Sequence, residues 1–368
     1  MPPAMQLEHV ELIDPETDAL VADIRVVQYT TRDGRIAIRL AQPEVQAKQL
    51  PKAWELLHDR FLCHPELTTR PVRIAADDLS IRSTGGGITL TDFQAYVQPH
   101  DYANETITQF KIAGRQMPRP ASISITRDRS RQHPETFWKL HTGGTALPYS
   151  IFADYFPELP HLGSACEFNG PISCRIGQDG WHLDLGGSSI SNIEVSRVFD
   201  SLAHKLTGTA DIWLGQCRIE RGLLVEIAGG VTIRDGQIGD SLMHAANGLM
   251  GLQSLTQVQR PAYPFDMMRF HFAMDDVGWQ FMGACESAHN NLPRGVLAVD
   301  NEQPIALLAT RQPLAASIPK QLVAPDLTQP LFAGERRNMV LDLLPSPVAS
   351  PYTDSTPPIP RVTMRSEP

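Results

Sequence analysis

The chain has 368 residues, 42% of them hydrophobic, which suits a packed core in two compact domains or in one elongated sheet. Its formal charge of −9 and the absence of any Lys/Arg block exclude a general phosphate-binding surface, so nucleic acid is not an expected partner. No window reaches the ~18 to 20 consecutive apolar residues of a membrane-spanning helix, and the first residues, from Met1 to Gln6, carry neither the positive nor the apolar part of an export signal.

Taken in chain order, residues 1–66 read as N-terminal strands and one short helix. The strand signal is period-two alternation at Ile36–Leu40, and the helix is predicted over 51–64, with Pro51 in the first turn, Trp54, Leu57 and Phe61 on one face, and Pro65 as the stop. Residues 67–160 form a first β segment, with alternating runs at Val72–Ala75, Leu79–Arg82, Ile88–Leu90 and Ile123–Ile125, and a short helix near 148–156. Within 161–310, a helix is predicted from a cap at Ser191 or Asn192 through Val195, Val198, Phe199, Leu202 and Leu206 to Gly208. Another is predicted over Asp240–Leu252. Asp33-Gly34, Gly85–Gly87, Asp179-Gly180 and Asp235-Gly236 read as turns between strands, because Gly and Asp accept positive φ with little strain. Residues 311–344 are a C-terminal extension, and 345–368, with seven prolines, read as a disordered tail. The fold class expected is mainly β: an elongated antiparallel meander or groove of strand-turn-strand units with three or four short α-helices.

Common catalytic constellations are missing. The chain has no Gly-x-Ser-x-Gly elbow, P-loop, His-Glu-x-x-His or Gly-x-Gly-x-x-Gly, so a non-catalytic role without metal or cofactor is expected. The triplets His64-Pro-Glu66 and His133-Pro-Glu135 read as turns or helix ends. The loop His141–Gly144 reads as a plain connection rather than an anion nest, and Asp77-Asp78 and Asp275-Asp276 as solvated turns. The five cysteines contain no CxxC pair, and an odd number excludes full pairing. Cys166 and Cys174 could face each other across a hairpin at Asn169-Gly170, but they read first as small buried hydrophobes.

Two internal echoes bear on architecture. Cys217–Leu224 and Val231–Ile238 share the pattern apolar-x-Ile-x-x-Gly-x-Leu/Ile, and Gly180–Gly186 echoes Gly278–Gly283, each opening on Gly-Trp. Such repetition marks stacked units that cannot bury an apolar face alone. With the Gly-Trp strand pair, the helix after it, Leu206–Leu214 and the Ile-x-x-Gly-x-Leu step, the stretch Asp179–Ile238 resembles the AsmA-like envelope proteins. Val72–Ile81 and Gly87–Asp92 fit the same picture, so that the resemblance spans roughly residues 70 to 310.

The resemblance implies an open periplasmic β-groove, apolar inside and anchored in the inner membrane, that holds phospholipid or another amphiphile. The family's N-terminal anchor is not found in this chain. Expected groove contacts are Trp181, Ile212, Trp213, Leu214, Val225, Ile227 and Trp279; as plain sheet residues, the same side chains would be core. A scaffolding envelope protein without ligand and a carbohydrate-active enzyme on a β-scaffold are the alternatives.

Overall fold

A computed structural model describes residues 4–323 apart from 15, 51, 53–61, 63–69, 84–85, 101, 131, 150–158, 201, 257–258, 287–291 and 311. The predicted 51–64 helix, most of the helix near 148–156, and the proline-rich tail therefore lie outside the described residues.

The described residues form one sheet of 20 strands. The first half contains β1 (Ala4–Ile13), β2 (Leu20–Arg32), β3 (Arg35–Gln46), β4 (Val72–Ser83), β5 (Gly86–Pro99), β6 (Ala103–Ile112), β7 (Ala121–Asp128), β8 (Glu135–His141) and β9 (Leu147–Pro148). The second contains β10 (Glu167–Asn169), β11 (Pro171–Gly177), β12 (Gly180–Asp184), β13 (Ser188–Glu194), β14 (Thr209–Glu220), β15 (Leu223–Gly239), β16 (Gln253–Ser254), β17 (Ala262–Met274), β18 (Trp279–Gly283), β19 (Val296–Asp300) and β20 (Gln303–Leu307). Three α-helices accompany them: α1 (Val195–Phe199), α2 (Asp240–Met250) and α3 (Ile318–Val323). The mainly β, mostly antiparallel fold expected from the alternation is what the chain adopts.

The sheet contains one parallel pair, which local patterning does not show. β3 and β4 run parallel, with Ile36 opposite Val72 and Gln46 opposite Arg82. A parallel pair needs a long crossover, and residues 47–71 supply it. Further on, β8 lies between β7 and β11, while β9, which follows it in the chain, pairs with β10.

Val72–Ala75 and Leu79–Arg82, which read as separate runs, belong to the single strand β4. Its apolar residues Val72, Ile74 and Ala76 keep one parity, and Leu79 and Ile81 keep the other. Four more strands change parity beside it: β1 at Glu8–His9, β2 at Arg25–Val26, β3 at Ala41–Gln42 and β5 at Thr91–Asp92. The registers set these positions side by side. On alternate strands the change passes through a left-handed residue: His9 at φ 52°, Gln42 at φ 49° and Asp92 at φ 53°. One such residue turns the following side chain onto the other face, and His, Asn and Asp accept that conformation more readily than most. β6 keeps its parity because β5 bulges there, setting Asp92 and Phe93 between the pairs Thr91–Lys111 and Gln94–Gln109.

The consequence is one continuous apolar face, called inner below. It carries Leu7, Val27, Leu40, Ala76 and Phe93 on one side of the line, and Val10, Ile24, Pro43, Leu79 and Leu90 on the other. Both residues at each switch then point outward or lie at the surface, which is why polar pairs such as Asp77-Asp78 stand there.

The same device recurs in β13, where the inner residues change from Ser188 and Ile190 to Ile193 through Asn192 at φ 59°, and in β15. In β15 the inner residues change from Val231 and Ile233 to Gly236 and Ile238, and in β17 from Phe270 and Met268 to Phe265 and Tyr263. Asp235, at φ 52°, is the left-handed residue. Asp235-Gly236, expected as a turn, is thus a kink inside a strand. An added Cβ at Gly236 would lie 2.1 Å from the Thr207 carbonyl oxygen, so only glycine fits.

The helix expected from Ser191 to Gly208 is shorter. Ile193 and Glu194 pair with Ala210 and Thr209 in the sheet, only Val195–Phe199 is helical, and Leu206 bridges to Ile238. Its apolar spacing was produced by three different elements facing one core. The Asp240–Leu252 reading holds: α2 buries Leu242, Met243, Ala246 and Met250, and ends at Gly251 in the left-handed conformation.

Cys166 and Cys174 are both free. Cys174 stands between Trp138 and Leu183 on neighbouring strands, and Cys166 precedes β10. Burial pushes the Cys166 thiol up to about 12, and those of Cys217 and Cys285 to about 11.

Candidate functional site

The inner face of the second half is built where β12, β14, β15, β17 and β18 lie side by side. β14 and β15 pair Ala210 with Ile233, Ile212 with Val231 and Cys217 with Ile227. β15 and β17 continue the rows, with Val231 opposite Phe270, Gly229 opposite Phe272 and Ile227 opposite Met274. β17 and β18 add Phe272 opposite Phe281 and Met274 opposite Trp279. β-branched and aromatic residues fill these rows because they pack well on a pleated surface.

Two clusters meet on this face. One lies under α2, with Ala210, Ile233, Phe265, Met268 and Leu308 buried; the other gathers Leu214, Cys217, Ile219, Leu224, Met274 and Trp279. Ile212, Phe281 and Leu314 pack against both, so the clusters are continuous. The aromatic side chains form a run: Trp279 stacks on Phe281 with centroids 5.5 Å apart and planes 10° apart, and Phe272 is 6.4 Å from Trp279. The Trp279 indole N–H donates to the Ala316 carbonyl at 3.1 Å, which ties the segment after β20 onto the aromatic run.

Of the seven residues expected to line a groove, five come together here. Leu214 and Trp279 are buried, while Trp181, Ile212 and Ile227 are half-buried and pack against the second cluster. Trp213 does not join them. It stands on the outer face with 55% of its surface exposed, between Ser189 and Gly230 in the register. Side chains alternate along a strand, so Ile212, Trp213 and Leu214 cannot share one face. Val225 sits at the register shift between the pairs Arg218–Glu226 and Ile219–Leu224 and packs in neither cluster. The Gly-Trp echo has a structural basis: Gly180 and Gly278 both have positive φ, 102° and 136°, and each delivers its Trp to the same cluster.

Several residues were legible only as a pattern. Phe270, Phe272 and Phe281 belong to the aromatic run, yet nothing but period-two spacing within β17 and β18 distinguishes them in the sequence.

The polar candidates have structural partners. Thr142 is fully buried, donates to Asn169 Oδ1 at 2.6 Å and accepts the Gly170 N–H at 3.0 Å. The Gly143 N–H donates to His141 Nδ1 at 3.0 Å. Asp275 Oδ1 accepts the N–H groups of Val277 and Gly278 at 2.9 and 3.2 Å, closing a turn. Glu135 receives Arg175 at 3.1 Å; His64 and Glu66 lie outside the described residues. Among the described residues, no group of three His, Cys, Asp or Glu is arranged to hold a metal ion, and no helix is long and apolar enough to cross a membrane.

A depression of about 490 Å³ opens at the parity switch, lined by Gln28, Arg39, Arg73, Asp77, Asp92 and Gln94 among others. Its charges are matched: Arg39 pairs with Asp77 at 2.8 Å and Lys111 with Asp92 at 3.0 Å, and Arg73 lies over the Tyr96 ring. It gathers no charge of one sign, so it offers nothing for a charged ligand to complement.

Comparison with protein-family models, with curated proteins and with solved structures finds no match.

Proposed function

We propose that the chain is a non-catalytic protein that holds or transfers an amphiphile with long apolar chains, phospholipid being the class in view, along the inner face of its sheet. One observation carries this reading. Changes of parity within the strands keep the apolar residues on a single face where strict alternation would turn part of them outward, and that face stays partly uncovered.

In the second half, Trp181, Ile212, Ile227, Phe272 and Phe281 are half-buried rather than sealed. At the β1 end, Met5 and Leu7 are 53% and 45% exposed. A sheet that needed only a compact core would gain by burying these side chains, at about 25 cal/mol per Å² of apolar surface removed from water. A long apolar surface left open is the mark of a surface meant for an apolar partner. The resemblance of residues 70 to 310 to AsmA-like proteins supports an envelope setting on the periplasmic side of the inner membrane.

Protein purified without detergent, extracted with organic solvent and analysed by mass spectrometry, is expected to release phospholipid or fatty acid in near-stoichiometric amount. A clean extract, together with failure of the protein to take up lipid from vesicles, would leave the scaffold reading in its place.

A further inference from the structure

We infer that β1 is a docking edge for a second copy of this chain, pairing antiparallel with the partner's β1 about a two-fold axis through Glu8–His9. This goes beyond lipid binding and does not depend on it.

Among the described residues, β1 pairs only with β2, so its other edge offers a row of unpaired backbone N–H and C=O groups along ten residues. The opposite end of the sheet is blunted. β16 has two residues, and β18 is flanked by bridges to Ala309 and Leu314. Edge strands are commonly protected by Lys, Pro or an inward-pointing charge. Ala4–Ile13 contains neither Lys nor Pro, and its inner residues Met5, Leu7, Val10 and Leu12 are all apolar.

The occupant follows from the order of residues in β1. When two copies pair about a two-fold axis perpendicular to the sheet, directly opposed residues must point to the same face. An ordinary strand centred between two residues fails this test, because its two halves have opposite parity. β1 passes it, since its parity changes at that very point, Glu8–His9. The register then sets Met5 opposite Leu12 of the partner subunit and Leu7 opposite Val10 of the partner subunit on the inner face. Gln6 falls opposite Glu11 of the partner subunit on the outer face, and Glu8 opposite the imidazole of His9 of the partner subunit. Apolar meets apolar, and neither Glu8 nor Glu11 meets a like charge. The kink at His9, which would disturb pairing with an unrelated strand, falls on the axis, where the second copy carries the same kink. The pairing would join two inner faces into one.

Sedimentation equilibrium of the full chain is expected to give twice the 40.7 kDa of one chain, in delipidated protein as well as in protein carrying lipid. The double variant Leu7→Lys/Leu12→Lys, at two exposed positions, is expected to be monomeric with unchanged circular dichroism. A second construction does not rely on that variant folding. Leu7→Cys/Val10→Cys is expected to yield a covalent dimer on mild oxidation, with the linkage mapped to residues 7 and 10. Met5→Cys alone is expected to yield none, as the two copies of residue 5 lie about 23 Å apart along the paired strands. A monomer throughout the micromolar range, a dimer indifferent to the Lys pair, or cross-linking from Met5→Cys equal to that of the double variant would each overturn the inference.

Discussion

Arg39 on β3 donates to Asp77 on β4 at 2.8 Å, and the pair bridges the parallel strands at the line where five strands change the faces of their side chains. Both side chains are largely exposed, and a pair so placed contributes at most about 1 kcal/mol. It marks the line; the backbone makes it. Arg39→Ala is therefore expected to leave the thermal midpoint nearly unchanged. At Asp92, whose φ is 53°, glycine should be tolerated and valine should cost roughly 1 to 3 kcal/mol, since a β-branched side chain resists the left-handed conformation. Urea unfolding of Asp92→Gly and Asp92→Val checks this; equal stability would mean that the left-handed residue is not required.

Glycines on β15 and α2 should respond oppositely to the same change. At Gly236 an added Cβ would lie 2.1 Å from the Thr207 carbonyl oxygen and 2.5 Å from the Phe265 ring, whereas at Gly248 nothing lies within 4 Å. Gly236→Ala is expected to destabilise by at least about 1 to 3 kcal/mol through forced backbone shifts. Gly248→Ala, within α2, should stabilise by roughly 0.5 to 1 kcal/mol. Paired thermal melts of the two variants provide the measurement.

Adjacent residues on β14 give a test of face. Leu214 is 6% exposed and Trp213 is on the opposite side. Leu214→Asp buries an unpaired charge and is expected to cost several kcal/mol or prevent folding. Trp213→Ala should stay folded, with a loss below about 1 kcal/mol, and should bind lipid as the parent does. Reduced lipid content in Trp213→Ala would put the ligand on the outer face.

Asp179 accepts hydrogen bonds from Arg175 at 2.8 Å and His182 at 2.9 Å. The Arg175 contact first, and His182 second, hold its carboxyl below the usual Asp value of 3.8. A carboxylate whose folded-state pKa is depressed stabilises the protein above its unfolded value and loses that contribution as pH falls through the folded one. Asp179→Asn is thus expected to flatten the decline of the thermal midpoint below about pH 4, while parent and variant differ by a constant amount near neutrality. Parallel curves through the acid range would show that the group is not coupled to folding.

The strands were legible because alternation is local. β3, β5 and β7 each contain a run visible in the sequence, and the Gly-Trp echo, read as a repeated unit, corresponds to two short strands that deliver their tryptophans to one cluster. What alternation could not show is a strand that changes parity. In β4, the spacing across Asp77-Asp78 breaks period two, so one strand looks like two, and Asp235-Gly236 reads as a turn because Asp and Gly accept the positive φ that here makes a kink inside β15. The 193–206 helix misled in the opposite way, for Ile193, Val198 and Leu206 face one core from a strand, a helix and a bridge. Which residues pair across the parallel β3–β4 contact depends on a connection of more than twenty residues, and no local signal encodes it. The candidate site was half legible: Ile212, Leu214 and Ile227 share one face, whereas Trp213, expected there with Trp181 and Trp279, lies on the other, and Val225 falls at a register shift.

The most direct measurement of the central claim is photo-cross-linking with a fatty acid carrying a diazirine in its chain, followed by peptide mapping of the labelled protein. Labels are expected on inner-face residues, Ile227, Phe272 and Phe281 foremost, and they should fall away when unlabelled phospholipid competes. Labels concentrated around Trp213 and His271 on the outer face, or labelling that no competitor reduces, would contradict the account.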